Sequence, residues 1–159
     1  IPTTYNQAHS GGQYLPEMNQ MVIGLGDEKS VTLHELQHAI QQREGWARGG
    51  SPDGMQSLVN DRAKLKERFD QALNQFMTTT DPIAKSNASQ EMTHYGIKLG
   101  QMPKVEDAHD AYMKLAGEAE ARATQARMNM SMEQRLNTYP LDSYDIPVDQ
   151  LIIRGGLLK

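Results

Sequence analysis

Two histidines four residues apart, with a glutamate directly after the first, stand in the stretch Leu33-His34-Glu35-Leu36-Gln37-His38. On a helix, residues four apart lie one above the other, so His34 and His38 can offer two imidazole nitrogens to one ion. Zinc takes such nitrogens at about 2.0–2.1 Å, and a catalytic site adds a third protein ligand and a water. Glu35 lies one residue further round, where its carboxylate can reach that water without ligating the metal. Zinc lowers the water's pKa towards neutrality, and the carboxylate takes the proton as hydroxide attacks a peptide carbonyl. The chemistry implied is peptide-bond hydrolysis with Zn2+ as cofactor and a protein or peptide as substrate. The competing reading is a polar helix that carries the pattern by chance. Five histidines in 159 residues give it in roughly one such chain in a hundred.

There is no cysteine, so any metal must be held by His, Asp, Glu or water, and no disulfide framework exists. The third ligand is sought in Ala116-Gly117-Glu118-Ala119-Glu120-Ala121-Arg122. At about 100° per residue, Glu118 lies about 80° from the centre of that helix's apolar stripe and Glu120 about 120°. Glu118 is therefore better placed to point inward, where a carboxylate is costly unless paired or metal-bound. The simpler alternative makes both glutamates solvated helix residues paired with Arg122. Arg122 itself is expected to orient Glu118 or Glu35 through a hydrogen bond. Arg48 reads either as a loop cation or as a cleft residue that binds a substrate carbonyl or carboxylate. Tyr112, His109 and Tyr144 are equal candidates for stabilising an oxyanion. Trp46 reads as a packing anchor, His9 and His94 as surface or packing histidines, and the ten methionines as core filler.

These residues need a scaffold, and the periodicity predicts one that is mainly α with a small β-hairpin (α+β). Residues 1–11 carry turn formers and read as irregular. Gln13–Leu15 and Gln20–Ile23 read as an antiparallel hairpin, with Pro16, Glu17 and Asn19 between them. A helix is predicted over Val31–Glu44, capped by Ser30 and stopped by Gly45. Leu33, Leu36 and Ile40 would form its buried stripe, with His34 and His38 on the flank. Further helices are predicted over Met55–Met77, Ile83–Leu99 (started by Asp81-Pro82) and Val105–Met128. Ser131 with Gln134 caps one more short turn, and the tail "TYPLDSYDIPVDQLIIRGGLLK" reads as extended.

The length fits one domain, residues 1–159. A net charge of −4 gives no reason to expect nucleic-acid binding through a basic face. No run of lysine or arginine suits an anionic membrane, and no stretch approaches the roughly 18 apolar residues of a membrane span. The chain starts at Ile1 without a methionine, which reads as a processed product or a piece of a larger polypeptide.

Taken together, "LHELQHAIQQREGWARGGSP", "YMKLAGEAEARATQARMNMSMEQR" and "YDIPVDQLIIR" resemble, in the same order, blocks of a zincin-like metallopeptidase domain found in large polyvalent proteins of phages and mobile elements. The resemblance covers about residues 12–154. It implies a zincin-like core with an HExxH active-site helix, His34 and His38 as zinc ligands and Glu35 as general base. Zincins of this kind take their third ligand from a Glu-x-x-Ala segment, and the resemblance matches Glu118 to it. It also implies a bacterial host cytoplasm or a phage virion as the location, and the parent polypeptide or a host protein as the substrate. The alternative is a catalytically silent zincin scaffold with a structural or protein-binding role in a virion or polyprotein, its zinc closed and stabilising.

Overall fold

The structure, a computed structural model, describes residues 1–6 and 11–154; His9 lies outside them. It is mainly helical with a three-stranded sheet. The predicted hairpin is there: β2 (Gly12–Leu15) runs antiparallel to β3 (Gln20–Gly24), pairing Gly12 with Ile23 and Leu15 with Gln20. Between them Pro16–Met18 makes a 3-10 turn, and Asn19 takes a left-handed conformation (φ 46°), which asparagine tolerates. The first eleven residues are not all irregular, however. Thr3–Asn6 forms β1, parallel to β3, so the order is β1-β3-β2. Nearly all of β1 is exposed, so it shows no inside–outside alternation from which a strand could be read.

Helix α1 spans Glu28–Glu44 and carries His34, Glu35 and His38. Its cap is Asp27, whose carboxylate accepts from the Ser30 N–H at 3.2 Å, and not Ser30 itself. Gly45 ends it in the left-handed conformation (φ 69°), as expected of a C-terminal glycine. The predicted burial of this helix is inverted. Leu36 and Ile40 are each 36 % exposed, while Glu35, Gln37, Ala39 and Gln41 are buried. On a helical wheel, Leu33, Leu36 and Ile40 sit about 100–160° away from Glu35. The leucine stripe therefore lies on the far side of α1, and the inward face is the polar one.

The predicted fourth helix is two helices, α4 (Ala108–Met113) and α5 (Ala116–Ala126). Leu115 between them is extended and pairs in parallel with Ile152. The Ile152 N–H donates to Lys114 O at 2.7 Å, and the Ala116 N–H to Ile152 O at 2.9 Å. An isolated bridge to Ile152 thus interrupts a helical periodicity, which no local propensity signals. The tail reaches that point through 3-10 turns at Pro140–Ser143 and Val148–Gln150, after a helix α6 (Met132–Asn137) with the expected Ser131–Gln134 capping box.

The chain forms two compact units: Ile1–Ser51 with Tyr112–Lys159, and Pro52–Ala111. The second holds the helical hairpin α2 (Pro52–Thr78) and α3 (Pro82–Gln101), with Asp81 capping α3 through the Ile83 N–H. Ala72 and Ala88 are buried there, and Phe69 lies against Gly96. The first unit holds the sheet, α1 and α5. Of the methionines, Met21 and Met55 are core residues, whereas Met18, Met77 and Met132 are exposed, so core filling describes only some of them. No helix among the described residues is long and apolar enough to cross a membrane.

A Cβ on Gly117, in the first turn of α5, would overlap the backbone of Arg48 and Gly49, whereas one on Gly100 would meet nothing within 4 Å. Gly117→Ala is expected to destabilise the protein by about 1–3 kcal/mol or more. Gly100→Ala should be neutral or stabilise by up to about 1 kcal/mol. Urea denaturation of the two variants measures the contrast.

Candidate metal centre

α1 and α5 pack side by side in the first unit, and three side chains meet between them: His34 and His38 from α1 and Glu118 from α5. One ligand atom from each lies within 4.8 Å of the others. His34 Nε2 is 3.3 Å from Glu118 Oε2, and His38 Nε2 is 3.4 Å from Glu118 Oε1. The two rings are edge to face with centroids 4.7 Å apart. Two imidazoles and one carboxylate, with nitrogen and oxygen atoms converging, form a donor set that can hold a metal ion.

Glu118 is 2 % exposed, so its charge has to be compensated. Each oxygen has a second partner: the Gly50 N–H donates to Oε1 at 2.8 Å, and the Tyr112 hydroxyl donates to Oε2 at 2.8 Å. Burial pushes this carboxyl up, but the hydrogen bonds from His34 and His38, the His38 charge and the Gly50 N–H outweigh it. The result lies well below the usual carboxylate range. The same burial and the nearby Glu118 charge raise the Tyr112 phenol, keeping its hydroxyl a donor.

Two glycines permit this approach. A Cβ at Gly49 would overlap Glu118 Oε1 and His38 Cε1, and one at Gly117 would strike the Arg48–Gly49 backbone. The loop after α1 therefore lies directly on the first turn of α5. The tail secures it, because the Arg48 N–H donates to Arg154 O at 2.9 Å while Ile152 bridges Leu115.

Glu35 faces the same space and is buried. Burial raises its pKa, partly offset by the charges of His38 and His34 and by the Tyr14 backbone N–H, which donates to its carboxylate. A Cβ at Gly12 would lie 2.8 Å from Glu35 Cγ and 3.0 Å from Oε1. Strand β2 thus runs directly over the carboxylate. In front of these residues opens a cleft of about 640 Å³, lined by Gly12, Tyr14, His34, Glu35, His38, Arg48, Tyr112 and Glu118 among others.

The remaining sequence candidates separate cleanly. Glu120 is outside the ligand group; its carboxylate accepts from Gln41 Nε2 at 2.8 Å. Arg122 does not reach Glu118 or Glu35. It grips Asp145 with two bonds, 2.6 and 2.9 Å, and donates to Met113 O at 2.6 Å. Its Nε and Nη2 match a carboxylate in the tail as a bidentate pair, while Nη1 is buried without a hydrogen-bond partner among the described residues. Arg48 is exposed on the cleft wall. Of the three oxyanion candidates only Tyr112 lines the cleft. Tyr144 feels the Glu120 charge, and burial together with that charge raises its phenol to about 12. His94 lies edge-on to Tyr95. Sequence reasoning missed Gly12, Gly49, Gly117, Gln41 and Gln125. Gly12 and Gly49 stood in visible turn-like runs and Gly117 inside a predicted helix, but only the partner atoms reveal the close approach they serve.

The metal-free protein should lose stability as pH rises. His38 is raised above 6.5: burial lowers it, and the Glu118 bond and charge more than reverse this. Its contribution is therefore complete below 6.5 and fades as pH climbs through the raised value. Glu35 and Glu120, both raised by burial, act in the same direction. Glu118, being lowered, contributes from about its ordinary 4.5 upward. Melting temperature without metal should fall as pH rises above 6.5. The increment added by zinc should grow over the same range, as protons cease to compete for imidazole nitrogen. A zinc increment independent of pH would contradict the ligand set. Gly49→Ala should weaken metal binding at least tenfold with the fold intact, measured by competition against a chromogenic chelator.

No protein-family model, curated protein or solved structure matches the chain, and what identifies the site is its own geometry.

Proposed function

We propose that the protein is a zinc metallopeptidase of zincin-like architecture. His34, His38 and Glu118 hold the ion, and Glu35 serves as general base. The observation that carries this reading is the convergence of both Nε2 atoms on a buried carboxylate, beside a second buried carboxylate that is not a ligand. A structural zinc site closes all four positions with protein side chains. Here three donors converge among the described residues and a cleft opens beside them. A closed structural site would also have no use for Glu35, which favours the enzyme over the silent scaffold.

Held by His34, His38 and Glu118, zinc would supply Lewis acidity and the means to activate a water. The chain's own groups do the rest. Glu35 takes the proton of the attacking water, and its raised pKa suits it to pass that proton on to the leaving amine. The Tyr14 N–H occupies part of the Glu35 carboxylate and fixes its orientation. Tyr112 gives its one hydroxyl proton to Glu118 and would have to release that bond to serve as donor to the developing oxyanion. The substrate is a protein or peptide, either the parent polypeptide or a protein of a bacterial host, in keeping with the phage-type resemblance.

Elemental mass spectrometry of the purified chain should give close to one zinc per molecule. Glu118→Ala should lose it and Glu120→Ala retain it. Glu35→Gln should keep both zinc and fold while cleavage of a denatured protein substrate falls by a factor of at least about 100. Absence of zinc uptake at neutral pH, or undiminished cleavage by Glu35→Gln, would overturn the assignment.

A further inference from the structure

Both histidines use Nε2 towards Glu118, so their Nδ1 atoms point away, and each meets a glutamine. His38 Nδ1 is 2.9 Å from Gln41 Oε1, and His34 Nδ1 is 3.1 Å from Gln125 Oε1. An amide's oxygen and nitrogen are told apart by what surrounds them, and here the surroundings decide. Gln41 Nε2 stands 2.8 Å from Gly117 O and 2.8 Å from Glu120 Oε2, two groups that only accept. Gln125 Nε2 stands 3.2 Å from Ser30 O and 3.0 Å from Ser30 Oγ. A backbone carbonyl cannot donate, so the nitrogen must face it in both cases. Each amide oxygen is thereby turned to a histidine, and an oxygen that only accepts requires Nδ1 to carry the proton.

We propose that Gln41 and Gln125 are positioning residues that lock His38 and His34 in the Nδ1–H tautomer, presenting both Nε2 lone pairs to one metal ion. The inference rests on the metal-site reading above and extends it to the chain behind the ligands. The two glutamines work in opposite directions across the helix pair. Gln41, on α1, reaches α5 at Gly117, next to Glu118. Gln125, on α5, reaches α1 at both Ser30 and His34. Histidine orientation is therefore tied to the same contacts that hold the helices together.

The choice of an amide has an electrostatic consequence. A carboxylate behind a ligating imidazole raises its basicity and adds charge to the site. Glutamine fixes the tautomer without doing so. Glu118 then brings the one formal negative charge of the ligand set, so a divalent ion there keeps a net positive charge. Glu120 meets the Gln41 amide from its nitrogen side, and its own pKa is raised by burial.

Long-range 1H–15N NMR of the metal-free protein, in which each Nε2 faces the Glu118 carboxylate, reads the Nδ1 protons directly. In the parent both Nδ1 protons should be hydrogen-bonded and slow to exchange with solvent. Gln125→Met should speed exchange of the His34 Nδ1 proton and leave that of His38 unchanged. Gln41→Met should do the reverse. Each should weaken zinc binding about 10–100-fold, and Gln125→Glu, which restores an acceptor, should restore the slow exchange of the His34 Nδ1 proton. Gln41 is buried and its replacement carries the greater risk to folding, so Gln125→Met, at a half-buried position, decides the question alone if necessary. Unchanged Nδ1 proton exchange in the Met variants, with zinc affinity within twofold of the parent, would overturn the proposal. A parent chain that takes up no zinc would instead overturn the metallopeptidase reading, since the exchange measurement needs no metal.

Discussion

A carboxylate placed almost wholly out of water is the constraint around which the first unit is arranged. An isolated buried charge costs several kcal/mol even after relaxation, and Glu118 is accommodated only because both oxygens are fully occupied. One meets His38 and the Gly50 N–H, the other His34 and the Tyr112 hydroxyl. Those four partners come from α1, the loop behind it and the end of α4. Satisfying one side chain therefore fixes three separate segments. The glycines at 49 and 117 are the steric counterpart of this electrostatic demand, since compensation at hydrogen-bond distance requires backbones in contact.

Much of this was legible in the sequence, for identifiable reasons. The β2–β3 hairpin, the positions of α2 and α3, the Gly45 stop and the Ser131 cap follow from local chemistry, and the local chain carries that information. The choice of Glu118 over Glu120 came from a face argument on one continuous helix. The structure brings Glu118 to the histidines, although the helix it was argued on is broken at Leu115. What could not be read depends on partners distant in sequence. Strand β1 exists because β3 offers an edge, the α4–α5 break exists because Ile152 inserts, and Arg122 belongs to Asp145.

The inverted burial of α1 is the most instructive departure. Apolar periodicity finds the core face of a helix when the core is apolar. Along α1 the interior is a polar site, so the helix is anchored by Glu35, Gln37 and Gln41 and its leucines face outward. Burial of polar groups is tolerable there because they are paired: Gln41 with Gly117 and Glu120, Gln37 with Thr124, Glu35 with Tyr14. Such a helix contributes little by hydrophobic transfer and much by geometry, which is how a site differs from a core.

The bridge at Ile152 also bears on the order in which the molecule can assemble. The Pro52–Ala111 hairpin is built from near-neighbour contacts, the kind that form early and fast. Its formation draws Ser51 and Tyr112 into a shorter effective loop, and loop closure is what long-range contacts must otherwise offset. The pairing of Ile152 with Leu115, and of Arg154 with Arg48, joins the last described residues to both flanks of that insertion. The loop seated against Glu118 is thus held by contacts distant in sequence, whose closure must offset loop entropy. A nascent chain holds its two histidines long before it holds the tail that seats the loop against Glu118.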